Sequence, residues 1–278
     1  MSSDWSDIGK QPAPEKWIKL YDWYNLTIDM KCSVVRKYTK DTTTHLLKNG
    51  IDADLYEIGN ENDYGICGIF ENDLAKRENI QWMENSTWND MSKLIKAGIE
   101  GVQSADATSD FILHIAHWWD YNFSYAFFNK MIDEEVKLDY MGLSFYRSSG
   151  IINITKALMG EGNGTLSQQR FQETTEKLFS SIGKPIIVSE YAYPSNGVII
   201  GPFSSFNHEV EGYPLTKHGQ KEWLIDFLRW CYERPFIAGN FYFSPEFYVF
   251  IWAPMSLFTY FGKAKPAIDA FDEFLDDK

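Results

Sequence analysis

Five short apolar runs recur along the chain, separated by longer stretches whose apolar residues fall three and four apart. The runs are ADLYEIG (53–59), FILHIA (111–116), YMGLSFY (140–146), PIIVSE (185–190) and GNFYFSP (239–245). They are short, mostly apolar and bounded by turn residues, the pattern of parallel strands buried on both faces. Helical periodicity covers roughly 15–48, 88–100, 123–136, 167–181, 217–232 and 264–275; in the stretch from 217, Trp223, Leu224, Phe227, Leu228 and Cys231 share one apolar face. Alternation of strand and helix predicts an α/β fold with a parallel sheet. No internal repeat, low-complexity tract or linker stands out, so a single domain over residues 1–278 is expected.

Polarity along these runs is asymmetric. Four of the five meet chemistry at or just past their C-terminal ends: Asn60-Glu61, His117, Tyr146-Arg147 and Glu190. In α/β barrels the active site is built at that end by the loops that follow the strands. The following segments are long here (62–87, 146–166, 191–216 and 245–263), which suits a substrate cleft better than a plain scaffold.

Composition narrows the partner. The chain has 278 residues, 44% hydrophobic and 17% aromatic, enough for one large domain with a substantial core. No window approaches the ~18 uncharged apolar residues of a membrane span. A net charge of -13 argues against nucleic acid and anionic membranes, since no basic stripe is present to release counterions. A neutral partner fits best. Aromatic residues in loop-like segments (Trp82, Trp88, Trp118, Trp119, Phe203, Phe206, Phe247, Tyr248, Trp252) suit the faces of neutral sugar rings, with core packing as the alternative for each. Cys32, Cys67 and Cys231 have no metal-ligand spacing and no disulfide framework, and the five histidines form no HExxH run. No metal and no cofactor is therefore expected. The first residues, MSSDWSDIGK, lack the basic and apolar pattern of a cleavable signal, which leaves the compartment open.

The most informative stretch is YEIGNENDYG, residues 56–65. Asn and Glu are poor strand formers, so Asn60 and Glu61 either open a polar loop or are aimed into a cleft. IIVSEYAYP repeats the arrangement with Glu190. Two strand-end glutamates, several strand-helix units apart, are what a glycosidase needs. One carboxyl protonates the leaving oxygen while the other attacks or supports the oxocarbenium-like carbon, and an amide such as Asn60 can donate to the sugar 2-OH. Strand-end glutamates that only coordinate loops are the competing explanation.

YEIGNE, ILHIAHWWD, YMGLSFY, GKPIIVSEYAYP and GNFYFSPE fall in the order and spacing of the endo-β-1,4-galactanase family, glycoside hydrolase family 53. SDWSDIGKQPAPEKW, YPLTKHGQKEWLIDFL and LFTYFGKAKPAIDAF also resemble it, so the likeness covers nearly the whole chain. The resemblance implies a (β/α) barrel and a retaining endo-hydrolase of β-1,4-galactan or arabinogalactan. It implies Glu61 as general acid/base, Glu190 as nucleophile and Asn60 on the 2-OH. His114 and Tyr146 would line the cleft floor, with Tyr146 orienting Glu190; His117, Trp118 and Trp252 complete the candidate sugar contacts. It also implies secretion.

The chain departs from the family in three places. Only strands four to eight are identified, so a partial TIM-type barrel is expected, without the cleft arginine of an earlier strand. Five strands do not close an eight-stranded barrel and leave open edges; truncation, a partner chain or self-association would account for this, and a homo-oligomer is the expectation. Strand eight carries Phe243-Ser244 where the family usually has Trp-Glu, and NDYGICGIFEND replaces a Trp-Pro stretch after Glu61. These changes keep open a β-glucanase or hemicellulase of the same superfamily, or a non-catalytic carbohydrate-binding relic.

Overall fold

The computed structural model describes residues 12–13, 15–105, 108–149, 164–200, 204–247 and 251–276. Backbone packing groups the chain into two compact units: Met1–Gly142 with Ser180–Pro185, and Leu143–Phe179 with Ile186–Lys278. The first holds α1 (Glu15–Tyr21), α2 (Ile28–Lys48), β1 (Leu55–Glu57), β2 (Gly65–Ile66), β3 (Ile69–Phe70), α3 (Leu74–Arg77), α4 (Ile80–Asn85), α5 (Thr87–Gln103), β4 (Asp110–Ile115), α6 (Tyr121–Asp133) and the start of β5 (Tyr140–Phe145). The second holds the end of β5, most of α7 (Gly164–Ile182), β6 (Ile186–Tyr191), α8 (Lys217–Tyr232), β7 (Ile237–Tyr242) and α9 (Ala270–Asp276).

All five expected strands are present. Among the described residues they form one sheet in the order β1-β4-β5-β6-β7, with the two-residue strands β2 and β3 as a separate antiparallel pair. Leu55, Tyr56 and Glu57 of β1 run parallel to Asp110, Phe111 and Ile112 of β4, and β6 runs parallel to β7 with two register shifts. Strand neighbours that follow chain order, with helices between them, make the fold class α/β of the partial TIM-barrel type. β4 and β5 are buried at every position after the first, and β6 at all but one, which is why their sequences read as continuous apolar runs.

The continuous helix expected over 15–48 is two helices. Asp22 takes a left-handed conformation (φ 48°), Trp23–Asn25 form a 3-10 turn, and Thr27 caps α2 by accepting the Met30 N–H at 3.3 Å. The cause is Trp23. Its ring is fully buried and its indole N–H donates to the Cys67 carbonyl at 2.7 Å, so the chain bends to seat it. Periodicity cannot register an anchor 44 residues away. The loop expected over 62–87 is likewise not bare: it contains β2, β3, α3 and α4.

α2 packs against α5 through small residues. Val35, Thr39 and Thr43 lie four apart on α2 and are all buried. Opposite them, a Cβ on Gly101 of α5 would stand 2.0 Å from Thr39 Oγ1 and 2.3 Å from the Arg36 carbonyl oxygen. The backbone oxygen cannot turn away as a side chain could, so the helices approach closely because residue 101 has no side chain. In the second unit α8 supplies the aromatic core. Trp223 stacks on Phe227 (5.0 Å, 8°) and on Tyr193 (5.1 Å, 19°), and Tyr191 donates to Asn240 Oδ1 of β7 at 2.7 Å.

Gly101→Ala should therefore lower stability by about 1–3 kcal/mol through overpacking, despite alanine's better helix propensity. Urea unfolding checks it: the midpoint should fall, and an unchanged or raised midpoint would show that α2 and α5 are not in close contact there.

Candidate active site

The segment after β1 is shaped by backbone conformation before side chains enter. Gly59 has φ +93°, and a Cβ there would meet Asn62 Oδ1 at 2.3 Å. Asn62 fills that space and donates its amide to the Ile58 carbonyl at 3.0 Å. Glu61 follows in the left-handed region (φ 44°, ψ 61°), immediately before the 3-10 turn Asn62–Tyr64. A non-glycine residue there is uncommon and costs on the order of 1 kcal/mol or more, and such residues concentrate at functional sites. Glu61 is 9% exposed and Asn60 half-buried.

The turn is held from below. Asp63, fully buried, accepts the Ala116 N–H at 2.9 Å through Oδ2, tying the turn to the end of β4, while its carbonyl accepts the Trp88 indole N–H at 2.8 Å. Tyr64 donates its hydroxyl to Glu78 at 3.1 Å, and burial raises its phenol well above the ordinary tyrosine value. Trp88, expected among the loop aromatics, is a buried α5 residue packed edge-on against Phe123 and Phe127.

β4 places three further candidates. His114 is buried, and its Nδ1 lies 3.0 Å from Glu57 Oε1 on the neighbouring β1. His117 is closed in between Phe123 (centroids 3.8 Å apart, 17°) and Trp119 (4.3 Å), with Nδ1 3.5 Å from Asp63. Trp118 is 2% exposed. His117 thus sits against Asp63 and Tyr64 of the turn that carries Glu61, and Trp118 is buried beside Trp119.

In the second unit, Glu190 is the fifth residue of β6 and 8% exposed. Tyr146, immediately after β5, donates its hydroxyl to Glu190 Oε2 at 2.7 Å. Such a charge-assisted bond fixes the carboxylate's orientation. Tyr146 is itself set by edge-on contacts with Phe206 (4.9 Å) and Trp252 (6.2 Å), and Phe243 packs against Trp252 at 5.2 Å. Trp252 is 2% exposed and belongs to a buried cluster with Ala192, Ile199 and Met255; its place is behind Tyr146. Phe203 and Tyr248 lie outside the described residues.

The Trp252 loop is braced by Lys265, whose ammonium donates to the carbonyls of Ala253 (2.7 Å), Pro254 (3.2 Å) and Ser256 (2.5 Å). Burial, with a smaller push from Lys217, pulls this amine down to about 7, and three carbonyl acceptors oppose that pull. The buried Gln220 amide of α8 adds bonds to the carbonyls of Tyr193 (2.7 Å) and Met255 (3.2 Å). Sequence reasoning missed Glu57, Asp63, Lys265 and Gln220. Glu57 alone carried a signal, as a charge inside an apolar strand that has to find a partner.

Parallel strands with carboxylates at their C-terminal ends, one positioned by a tyrosine from the adjacent strand, place the chain among the (β/α)-barrel proteins. The chain belongs to Glycosyl hydrolase family 53, whose sequence profile matches residues 1–271. An uncharacterized protein from the bgaB 5' region of Niallia circulans is 28% identical over 250 residues, covering 88% of this chain and 62% of that protein. Endo-beta-1,4-galactanase of Bacillus subtilis (strain 168) is 23% identical over 82% of this chain and 45% of its own length. Arabinogalactan endo-beta-1,4-galactanase of Humicola insolens is 22% identical over 88% and 65%. The chain thus spans between about half and two thirds of these curated relatives. Among solved structures, the Ignisphaera aggregans family 53 catalytic domain superposes with a TM-score of 0.75 at 21% identity, over 97% of this chain and 71% of that one. A fungal beta-1,4-galactanase superposes at 0.73 and 18%, over 98% and 75%.

Asp63 gives the site's first test. Asp63→Ala strands the buried Ala116 N–H, an expected loss of about 1–3 kcal/mol, and frees the turn bearing Glu61. Thermal unfolding should show the loss, and amide exchange should accelerate at residues 59–65. Native protection in that segment would mean that Asp63 does not hold the turn.

Proposed function

We propose that the protein is a retaining endo-glycoside hydrolase acting on a β-linked neutral polysaccharide, with β-1,4-galactan or arabinogalactan as substrate. The observation that carries this reading is the Tyr146–Glu190 hydrogen bond at the end of β6 in a family 53 chain. It is the support expected for a nucleophile that must face the anomeric carbon in one orientation. Glu190 attacks that carbon while Glu61 gives its proton to the departing glycosidic oxygen. Glu61 then takes a proton from water, which displaces Glu190 and restores the starting state with the configuration retained. Asn60, next to Glu61, donates to the 2-OH, a contact that strengthens at the transition state. His114, held by Glu57, and Tyr146 line the cleft floor. His117 supports the Glu61 turn, and Trp252 backs Tyr146.

The choice of galactan follows the named activities of the Bacillus subtilis and Humicola insolens relatives. A β-glucan or other hemicellulose is the second reading, favoured by Phe243-Ser244 at the end of β7 and by NDYGICG after Glu61. Reducing-sugar release across purified galactan, arabinogalactan, β-glucan, xylan and mannan separates the two. Galactan should be cleaved fastest, and release from none of them leaves only the binding relic.

Glu190→Gln should lower turnover by roughly three orders of magnitude or more with folding intact, as loss of a nucleophile does. Glu61→Gln should cost about 10²–10⁴-fold on polysaccharide and much less on an activated aryl glycoside, whose leaving group needs no proton. A 2-fluoro glycoside should label Glu190. Wild-type rates in both variants, or label on another residue, would refute the assignment.

Association of copies is part of the same reading. β1 and β7 are the outer strands of the sheet among the described residues, and β7 exposes Ala238 and 52% of Phe241. An exposed strand edge is a template for pairing. A homo-oligomer, with copies meeting along β7 or β1, is expected by light scattering at low micromolar concentration; Phe241→Lys should weaken it. A stable active monomer rules it out. The interface is expected to involve the N-terminal segment around Trp5 and Trp17 and the strand of residues 53–59; of these, Trp5 lies outside the described residues.

A further inference from the structure

A cavity of about 1020 Å³ opens beside the loop that follows β7. Its lining comes from the second unit alone, and neither Tyr146 nor Glu190 contributes to it. Its walls are mostly apolar, yet Lys217, Lys263 and Lys265 all line it, and no Asp or Glu does. The whole chain holds 39 acidic and 26 basic residues, so a cavity lined by three lysines and no acid runs against its composition. Lys265 is saturated by the three carbonyls it braces. Lys217 and Lys263 are exposed, and among the described residues neither is held in an ion pair. Two unneutralised ammonium groups at one apolar opening attract an anion.

The rim adds a second feature. Phe258 and Ala264 pair in an isolated bridge, Thr259 N–H donates to the Lys263 carbonyl at 2.7 Å, and Gly262 (φ +73°) donates to the Thr259 carbonyl at 2.8 Å. Lys263 N–H closes the turn on Thr259 Oγ1 at 3.1 Å. This tight turn projects Tyr260 and Phe261, 58% and 84% exposed, with rings edge-to-face at 5.5 Å. Both also line the cavity. An aromatic pair presented on a stitched turn contributes little to the core and offers rigid faces at small entropic cost.

We propose that this cavity binds a carboxylate-bearing sugar unit, with its ring against Tyr260 and Phe261 and its carboxylate between Lys217 and Lys263. The anion requirement follows from the lysines alone; the sugar requirement rests on the glycosidase reading above. The site would hold a charged unit of a substrate chain while the neutral stretch occupies the catalytic cleft.

Calorimetric titration of the wild-type protein at low salt tests this without relying on turnover. The probes are a galacturonate trisaccharide, the neutral galactose trisaccharide and inorganic phosphate. The uronate should raise a binding signal that phosphate, at equal concentration, displaces poorly. Lys217→Glu with Lys263→Glu should weaken uronate binding about tenfold or more, as reversal of two charges does, and leave the neutral probe unchanged. Tyr260→Ala with Phe261→Ala should weaken uronate binding several-fold. Both pairs are exposed, so folding is checked by circular dichroism, and Lys217→Gln with Lys263→Gln should give an intermediate loss. Uronate binding that is absent, indifferent to the lysines, or matched by phosphate and insensitive to the aromatic pair would overturn the proposal. A wild-type protein that cleaves no polysaccharide yet binds the uronate would instead overturn the catalytic assignment.

Discussion

A carboxylate placed at the end of an apolar strand has to be given partners, because an unpaired charge in a low-dielectric interior is prohibitively costly. That constraint organises the chain around Glu190, Glu57 and Asp63. Glu190 receives the Tyr146 hydroxyl, Glu57 pairs with His114, and the buried Asp63 takes the Ala116 N–H. Each partner comes from the neighbouring strand or the residues just past it. Parallel strands bring these positions level, so the sheet supplies the partners that the carboxylates require.

The two candidate carboxylates are positioned by different means. Glu190 lies within β6 and inherits its direction from the strand and from Tyr146. Glu61 lies past β1 and owes its direction to a backbone sequence: a glycine with positive φ, a left-handed glutamate and a 3-10 turn. The strain in that turn is held by bonds to Ile58, Ala116 and Trp88. In the mechanism proposed above, the glutamate on the strand is the nucleophile and the braced one on the turn is the proton donor, which must serve two successive steps from one place.

In the second unit the loop after β7 depends on a cation supplied by the chain itself. Three carbonyls point at the Lys265 ammonium, with the Gln220 amide beside them. Carbonyl dipoles converging on one point favour a donor at their focus, and a tethered lysine amine provides it. This brace sets Trp252, which in turn packs against Tyr146 and Phe243. The orientation of Glu190 thus reaches back, through Tyr146 and Trp252, to Lys265.

The amino-acid sequence by itself determined the strands, their parallel character, most helix positions and the placing of Asn60, Glu61 and Glu190 at strand ends. These follow from local causes: apolar runs that only a doubly covered sheet can bury, periodicity of one helical face, and polar residues where propensity does not call for them. Only the tertiary structure decided the rest. Trp23 breaks the helix expected over 15–48 because its indole finds Cys67. Trp88, taken for a loop aromatic, is core because α6 brings Phe123 and Phe127 against it. His117 and Trp118 read as sugar contacts because they follow a strand, yet the stacking of Phe123 and Trp119 on His117 gives it a core setting. Lys265 carries no signal in the sequence, and only the fold brings the carbonyls of Ala253, Pro254 and Ser256 to it. In each case the deciding partner lies on another element, and one-dimensional periodicity contains no record of which distant groups will share a buried space.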